Sequence, residues 1–366
     1  MQKNIALKFI SKDRSQFAAT LRKNVNNYFK EKGISTKDNG KMAVKSVILL
    51  GLYIIPFVLI VTLHMNLLSM LLLSVVIGIG MAGTAMSVMH DSVHGSFSKR
   101  PWLNKLMGVS MYMLGGNVFN WKVQHNILHH TFTNIQGYDE DIRSRVVIRL
   151  SQQSPLLKMH RFQHIYAFFL YGFMTLSQLT KDFWQLWKYN KTGVTQQQQG
   201  KPRKEYFKLI WTKICYLAIV LGLPVLFTHF NIWQVLLGFL LMHITAGVIM
   251  STIFQMAHIV EGADQPQPNL EGNIENEWAI HQLNTTANFA KNNLFLNWYI
   301  GGLNFQIEHH LFPNICHVHY REIAPIVEKT ALDFGLPYNM KPTFINALAS
   351  HLRMLKELGR PMPVAV

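Results

Sequence analysis

The succession of apolar and polar positions divides the chain into two long uncharged windows set between basic segments. From Ser46 to Met89 no residue carries a formal charge, and two apolar runs lie inside that window, Ser46 to Leu63 and Leu67 to Val88. Each run is long enough to cross about 30 Å of hydrocarbon as a helix. Only His64, Met65 and Asn66 separate them, so the pair predicts a helical hairpin with almost nothing at its far end. Ile214 to Ala257 repeats the arrangement with a break near Thr228-His229-Phe230-Asn231, which predicts a second hairpin. Pro101 to Gly116 looks amphipathic with a Met-rich face, and Phe162 to Trp187 is aromatic and nearly uncharged. A fifth crossing at Phe162 would carry the basic loop that follows to the opposite side, so an interfacial helix is expected there. Gln196 to Gln199, then Gly200, Lys201 and Pro202, read as a polar linker, and no solenoid-like repeat occurs.

Charge adds an orientation to this outline. The 366 residues contain 35 Lys and Arg against 19 acids, a formal excess of +16. Eleven of the basic residues precede residue 46, 17 lie between 90 and 213, seven follow 257, and none falls inside either window. Basic loops stay cytoplasmic, so both termini and all three basic segments are expected on that face. The expected organisation is 1–45, an N-terminal cytoplasmic segment; 46–89, the first hairpin; 90–213, a cytoplasmic cap; 214–257, the second hairpin; and 258–366, the rest of the cap. Lys3 to Lys45 is too long a preface for a cleavable secretory signal, and the chain is expected to remain uncleaved. The fold class is therefore an all-α integral membrane protein with four transmembrane helices in two hairpins beneath a helical cap. A charged fraction of 15% and mean hydropathy of +0.12 exclude a disordered tail and an ordinary soluble domain. The positive excess requires an anionic neighbour such as lipid or an acidic protein. Nucleic acid is excluded because no binding module accompanies the charge. Two cysteines, Cys215 and Cys316, exclude a disulfide framework and fit a reducing compartment.

Seventeen histidines are the unusual part of the composition, and seven of them form three groups. His90 and His94 follow the second apolar run, one helical turn apart if that helix continues. His125, His129 and His130 form the second group, again with one-turn spacing from His125 to His129. The third is Gln306-Ile307-Glu308-His309-His310, with Pro313 ending any helix soon after. All three groups fall on the expected cytoplasmic side, where distant segments can converge just above the bilayer. A lone histidine on such a face is ordinarily a hydrogen-bonded interfacial residue; three groups are a metal-ligand pattern. One tetrahedral zinc needs only four ligands. Seven imidazoles and a Gln suit two ions, and a donor set of neutral nitrogen favours a redox pair such as iron over magnesium or calcium. No His-Glu-x-x-His occurs, which disfavours a zinc protease.

His90-Asp91-x-x-His94-Gly95, His125-Asn126-x-x-His129-His130 and Gln306-Ile307-Glu308-His309-His310-Leu311-Phe312-Pro313 resemble the three histidine boxes of the membrane fatty acid desaturases. The Gln opening the third box, where most relatives have His, is similar to the front-end branch, which desaturates between an existing double bond and the carboxyl end. The resemblance runs from about residue 45 to 340. It implies a di-iron enzyme that uses dioxygen as co-substrate and two electrons from an external donor to remove two hydrogens from neighbouring methylenes of an acyl chain. On that resemblance His90, His94, His125, His129, His130, His309 and His310 ligate iron. His258, just past the fourth span, and Gln306 join the ligand set. Asp91 and Asn126, each adjoining a ligand, are the expected supports of the imidazoles; Glu308 and Asp139 to Asp141 are further acids nearby in sequence. The substrate is an acyl-CoA or acyl-lipid. The donor is a ferredoxin or a separate cytochrome b5 with its reductase, since no His-Pro-Gly-Gly haem motif occurs and 45 residues before the first span are too few for that domain. A bacterial plasma membrane is the favoured location, or the endoplasmic reticulum in a eukaryote.

Cys316-His317-Val318-His319 stands where some front-end relatives carry Pro-Arg-His-Asn, a departure that bears on regiospecificity. Trp121, Trp278, Trp298, Phe119 and Phe289 are candidates for lining a dry acyl tunnel, beside the alternative of ordinary core or belt packing. A hydroxylase, ketolase or sphingolipid desaturase would share the same boxes. A metal-binding membrane transporter would need ionisable residues within the spans, where His243 is the sole candidate.

Overall fold

The computed structural model describes residues 7–10, 16–37, 40–142 and 146–361. Lys3 and the outermost stretches of the expected N-terminal and C-terminal segments lie outside these residues. Most of the described residues are helical, and the principal helices are α1 (Phe17–Lys32), α2 (Lys41–Thr62), α3 (Leu67–Val93), α4 (Pro101–Gly108), α5 (residues 118–132), α6 (Gln163–Gly172), α7 (Met174–Lys191), α8 (Pro202–Phe227), α9 (Ile232–His258), α10 (Trp278–Thr285), α11 (Gln306–Leu311), α12 (Tyr320–Asp333) and α13 (Phe344–Leu358). Two parallel two-residue pairings staple the cap: β1 (Lys8–Phe9) with β2 (Asn273–Ile274), and β3 (Asn288–Phe289) with β4 (Met340–Lys341).

Among the described residues four helices are long and apolar enough to cross a membrane, namely α2, α3, α8 and α9. Composition makes them so: their mean hydropathies run from 2.0 to 2.5. Helix α3 packs against both α2 and α9. Small residues permit the close approach, since a Cβ on Gly80 would meet the backbone of Leu52 and Tyr53 at 2.6 Å. Each short turn ends in an asparagine that caps the helix it opens. Asn66 Oδ1 accepts from the Ser69 N–H at 2.9 Å, and Asn231 Oδ1 accepts from the Gln234 N–H at 3.1 Å.

Two elements depart from the hydropathy outline. Helix α8 begins at Pro202, well before the uncharged window at Ile214, and its charged first turns end in Lys213, which is buried with its charge answered. Its ammonium lies 2.6 Å from Asp182 and donates to the Gln178 carbonyl at 2.9 Å. The aromatic stretch expected as one interfacial helix is two, α6 and α7, broken at Phe173. Their junction lies against the middle of α9: Thr175 Oγ1 donates to the His243 carbonyl at 3.0 Å, and a Cβ on Gly172 would contact Ile244. From that apex α7 climbs back until Gln185 donates to Gln124 at 2.7 Å, beside the second histidine group.

The cap has its own core. Phe17, Leu21, Val25 and Phe29 of α1 pack with Ile323, Ala324 and Val327 of α12, and with Ile307 and Leu311 of the third box. Their spacing of four residues along α1 gives that helix one apolar stripe.

Candidate metal centre

The last turns of α3 carry the first box. A π-helical stretch, Thr84–Met89, precedes His90, so the helix is locally widened. Gly301, at φ +66°, presses against the Met86 and Ser87 backbone, a position no Cβ could occupy. His90 and His94 then stand on one face with ring centroids 4.7 Å apart.

A second π-helical stretch, Lys122–His129, forms the middle of α5. Hydrogen bonding five residues back widens the turn, so positions four and five residues on straddle the starting side chain. His129 and His130 consequently both flank His125, at 5.3 and 4.8 Å between centroids. In a regular α-helix only the first would share its face. Box three is the short helix α11, where Gln306 Nε2 lies 3.3 Å from His310 Nε2 and 3.0 Å from His258 Nε2.

These segments converge on two adjoining groups. The ligand atoms of His90, His94, His125 and His309 lie within 4.8 Å of one another, as do those of His129, His258 and His310. His130 joins His309 and His310 between them. His90 Nε2 and His125 Nε2 are 3.1 Å apart, and His125 Nε2 and His130 Nε2 are 3.3 Å apart.

The outward nitrogens explain why the others point inward. His129 Nδ1–H donates to Asp139 Oδ2 at 3.1 Å, His310 Nδ1–H to Gln282 Oε1 at 2.8 Å, and His258 Nδ1–H to the Thr285 carbonyl at 3.4 Å. His309 Nδ1 pairs with the Tyr320 hydroxyl at 3.2 Å. An imidazole fixed through Nδ1 presents Nε2 as its free donor, which is the support metal-ligating histidines receive. The residues fit a metal on this ground: Nε2 of His94, His129 and His309 is buried without a hydrogen-bond partner. Such orphaned groups are costly unless something binds them. Burial, with repulsion from neighbouring imidazoles, holds His94, His125, His130, His309 and His310 well below the usual histidine range, so their rings are neutral, the form a metal requires. His129 is the exception. Burial pushes it down, but Asp139 and Asp141 carry it up to about 9.

Asp91 lies beside His90, with Oδ1 3.8 Å from His90 Nδ1, and its other oxygen accepts from His317 Nδ1–H at 2.8 Å. His317 Nε2 in turn meets the buried Lys45 ammonium at 2.6 Å. Asn126, expected to support an imidazole, instead donates to the Val93 carbonyl at 3.1 Å and ties α5 to the end of α3. Glu308 turns away from the imidazoles and accepts from Asn288 Nδ2 and the Tyr338 hydroxyl, each at 2.8 Å. Gln282, Thr133, Tyr320 and His317 were invisible to spacing arguments, because they stand on other segments than the boxes they touch.

A cavity of about 390 Å³ opens on the second group, walled by His125, His129 and His258. Trp121 lines it; Trp278, Trp298, Phe119 and Phe289 do not. Trp278 Nε1–H donates instead to the His130 carbonyl at 3.1 Å. His243, the candidate for an ion path, is committed to Tyr216 and Thr175 at 2.8 and 2.9 Å.

This arrangement defines a buried histidine cluster that could hold metal beside four membrane-spanning candidates, and comparison gives it a family. Residues 65–342 match the family model for fatty acid desaturases. The chain is 36% identical over 345 residues to the sn-1 linoleoyl-lipid 6-desaturase of Synechocystis sp., covering 94% of this chain and 96% of that protein. It is 34% identical to the protein of the same name from Arthrospira platensis, over 94% and 92% of the two chains. It is 33% identical to the acyl-lipid (8-3)-desaturase of Physcomitrium patens, over 98% and 74%. The chain belongs to the fatty acid desaturase family and is an oxidoreductase that desaturates fatty acids.

Proposed function

We propose that the protein is a front-end desaturase of acyl chains esterified to membrane lipid, with two irons held by His90, His94, His125, His129, His130, His258, Gln306, His309 and His310. The observation that carries this reading is the meeting of eight imidazoles from separate segments, buried and with several inward nitrogens unanswered. Gln306 and the activities for which the relatives are named support the front-end branch and the lipid carrier. Bound there, the iron pair would supply the dioxygen-dependent redox chemistry that removes two hydrogens from neighbouring methylenes. The protein's own residues do the rest. Asp139, Gln282, Tyr320 and Thr285 orient the imidazoles. Ile142, Ile148, Leu150, Leu170, Met250 and Phe254 give the cavity a largely apolar wall, which excludes water and holds the chain in one pose.

All 35 Lys and Arg lie outside the two uncharged windows, which supports two membrane hairpins with the metal centre, both termini and the cap on the cytoplasmic side. The segments 1–45, 46–89, 90–213, 214–257 and 258–366 then form one desaturase domain. That basic face suits an acidic electron donor of the ferredoxin or cytochrome b5 kind. Expression in a host supplied with defined polyunsaturated acids tests the reading. Products two mass units lighter, with a new double bond on the carboxyl side of an existing one, are expected. Products with added oxygen would move the assignment to hydroxylation.

A further inference from the structure

The cavity beside the metal centre has a polar corner that the desaturation chemistry itself does not use. Its walls include Lys181, the one Lys or Arg among the described lining residues, with Ser177 and Gln178 on the same helix and Gln124 opposite. Ser177, Gln178 and Lys181 share one face of α7, three and four residues apart. Lys181 Nζ donates to Gln124 Oε1 at 2.9 Å, and Gln124 Nε2 donates in turn to Asp141 Oδ1. The other oxygen of Asp141 lies 3.5 Å from His129 Nδ1 and 3.9 Å from His125 Nδ1. The corner is thus two hydrogen bonds from the metal-facing wall.

An acyl chain entering this slot brings one polar group, its ester carbonyl. That group accepts hydrogen bonds and donates none, so burying it unanswered would oppose binding. An ammonium carries three N–H donors and can serve Gln124 and a carbonyl together. Beyond the corner the walls turn apolar through Met174, Phe173, Leu170 and Tyr171 toward the apex of the α6–α7 hairpin. The hairpin's outer face is apolar as well, with Ile165 69% and Phe169 68% exposed, so a lipid tail meets hydrocarbon-like surface on both sides of one helix.

We propose that Lys181 holds the ester carbonyl of the substrate and thereby fixes which methylenes face the metals. This rests on the front-end desaturase reading and deepens it. An anchor this close to the metal-facing wall selects carbons near the carboxyl end, and the remaining tail runs on along α6 and α7. Lys181 is a positioning residue, separated from the ligands by Gln124 and Asp141.

The test uses the full-length, iron-loaded protein in bilayer discs containing linoleoyl phosphatidylcholine, with a ferredoxin reducing system, and compares Lys181→Met with Lys181→Arg. Lys181→Met is expected to keep the parent's iron content, to lose about tenfold or more in kcat/KM, and to spread the new double bond over neighbouring positions. Lys181→Arg keeps a donor cation and is expected to keep a single position. A single product position at the parent's kcat/KM from Lys181→Met would overturn the proposal. Loss of iron from both variants would also overturn it, because Lys181 would then act as a prop for Asp141. A parent protein that forms no desaturated lipid would instead defeat the reading on which the proposal rests.

Discussion

Replacing Asp139 by Asn removes one negative charge behind the metal centre and scarcely changes shape. Asp139 Oδ2 accepts from His129 Nδ1–H at 3.1 Å and from the Asn134 N–H at 2.9 Å, while Oδ1 accepts from the Asp141 N–H at 2.8 Å. All three partners are donors, so an amide at this position must set its own NH₂ against one of them. Two consequences follow with opposite dependence on pH. Loss of the carboxylate behind a ligating imidazole costs about 10- to 100-fold in metal affinity, or roughly 1.4 to 2.7 kcal/mol. Against this, Asp139 is a main reason His129 rises to about 9, so in the parent a proton competes for Nε2 throughout the neutral range. Metal binding in the parent should therefore strengthen as pH climbs toward about 9, and the variant should show a flatter rise. The assay is iron per chain after dialysis against a chelator, at neutral pH and near 9, with turnover followed in parallel. Iron retention equal to the parent's near pH 9, where proton competition has faded and only the missing support remains, would refute the reasoning.

His129→Ala and His310→Ala should each abolish turnover while leaving membrane insertion intact; normal activity in either would exclude that residue from the ligand set. Gly80→Val drives a side chain into the Leu52–Tyr53 backbone, 2.6 Å from its Cβ, and should cost about 1 to 3 kcal/mol or more. An unshifted thermal midpoint in detergent would contradict that packing. Burial pushes the Glu308 carboxyl from 4.5 up to about 7, against its hydrogen bonds from Asn288 and Tyr338. The folded chain therefore keeps a proton on Glu308 that the unfolded chain releases, and this group's contribution to stability falls as pH rises across that interval, by about 3 kcal/mol in all. The buried neutral imidazoles make both metal-free proteins gain stability as pH rises toward the usual histidine range, and the parent should gain less than Glu308→Gln between those limits; parallel pH profiles for the two would be the contrary result.

The spans and the boxes were legible because each is written in consecutive residues. Uncharged windows predict α2, α3 and α9 closely, and the start of α8 escaped because its first turns carry Arg203, Lys204, Glu205, Lys208 and Lys213, the last answered by Asp182, a partner 31 positions away. One-turn spacing foretold the pairing of His90 with His94. It did not foretell that His125 faces both His129 and His130, since a π-helical turn leaves no mark in a hydropathy pattern. Gln282 and Tyr320 were equally hidden: they reach the imidazoles through the tertiary fold, and neither has a distinctive spacing to any box. His258 was reached by family resemblance alone, because a single histidine at a helix end carries no motif.

The contact of Gly301 with Met86 and Ser87 has a mechanical meaning. With Tyr299 Oη–H donating to the Ile79 carbonyl at 2.8 Å, it clamps the approach to the third box onto the very helix that bears the first. A bilayer fluctuates in thickness, and helices that cross it tilt in response. Histidines mounted on independent struts would drift apart with each such movement; riding on one clamped girder, His90, His94, His309 and His310 travel together.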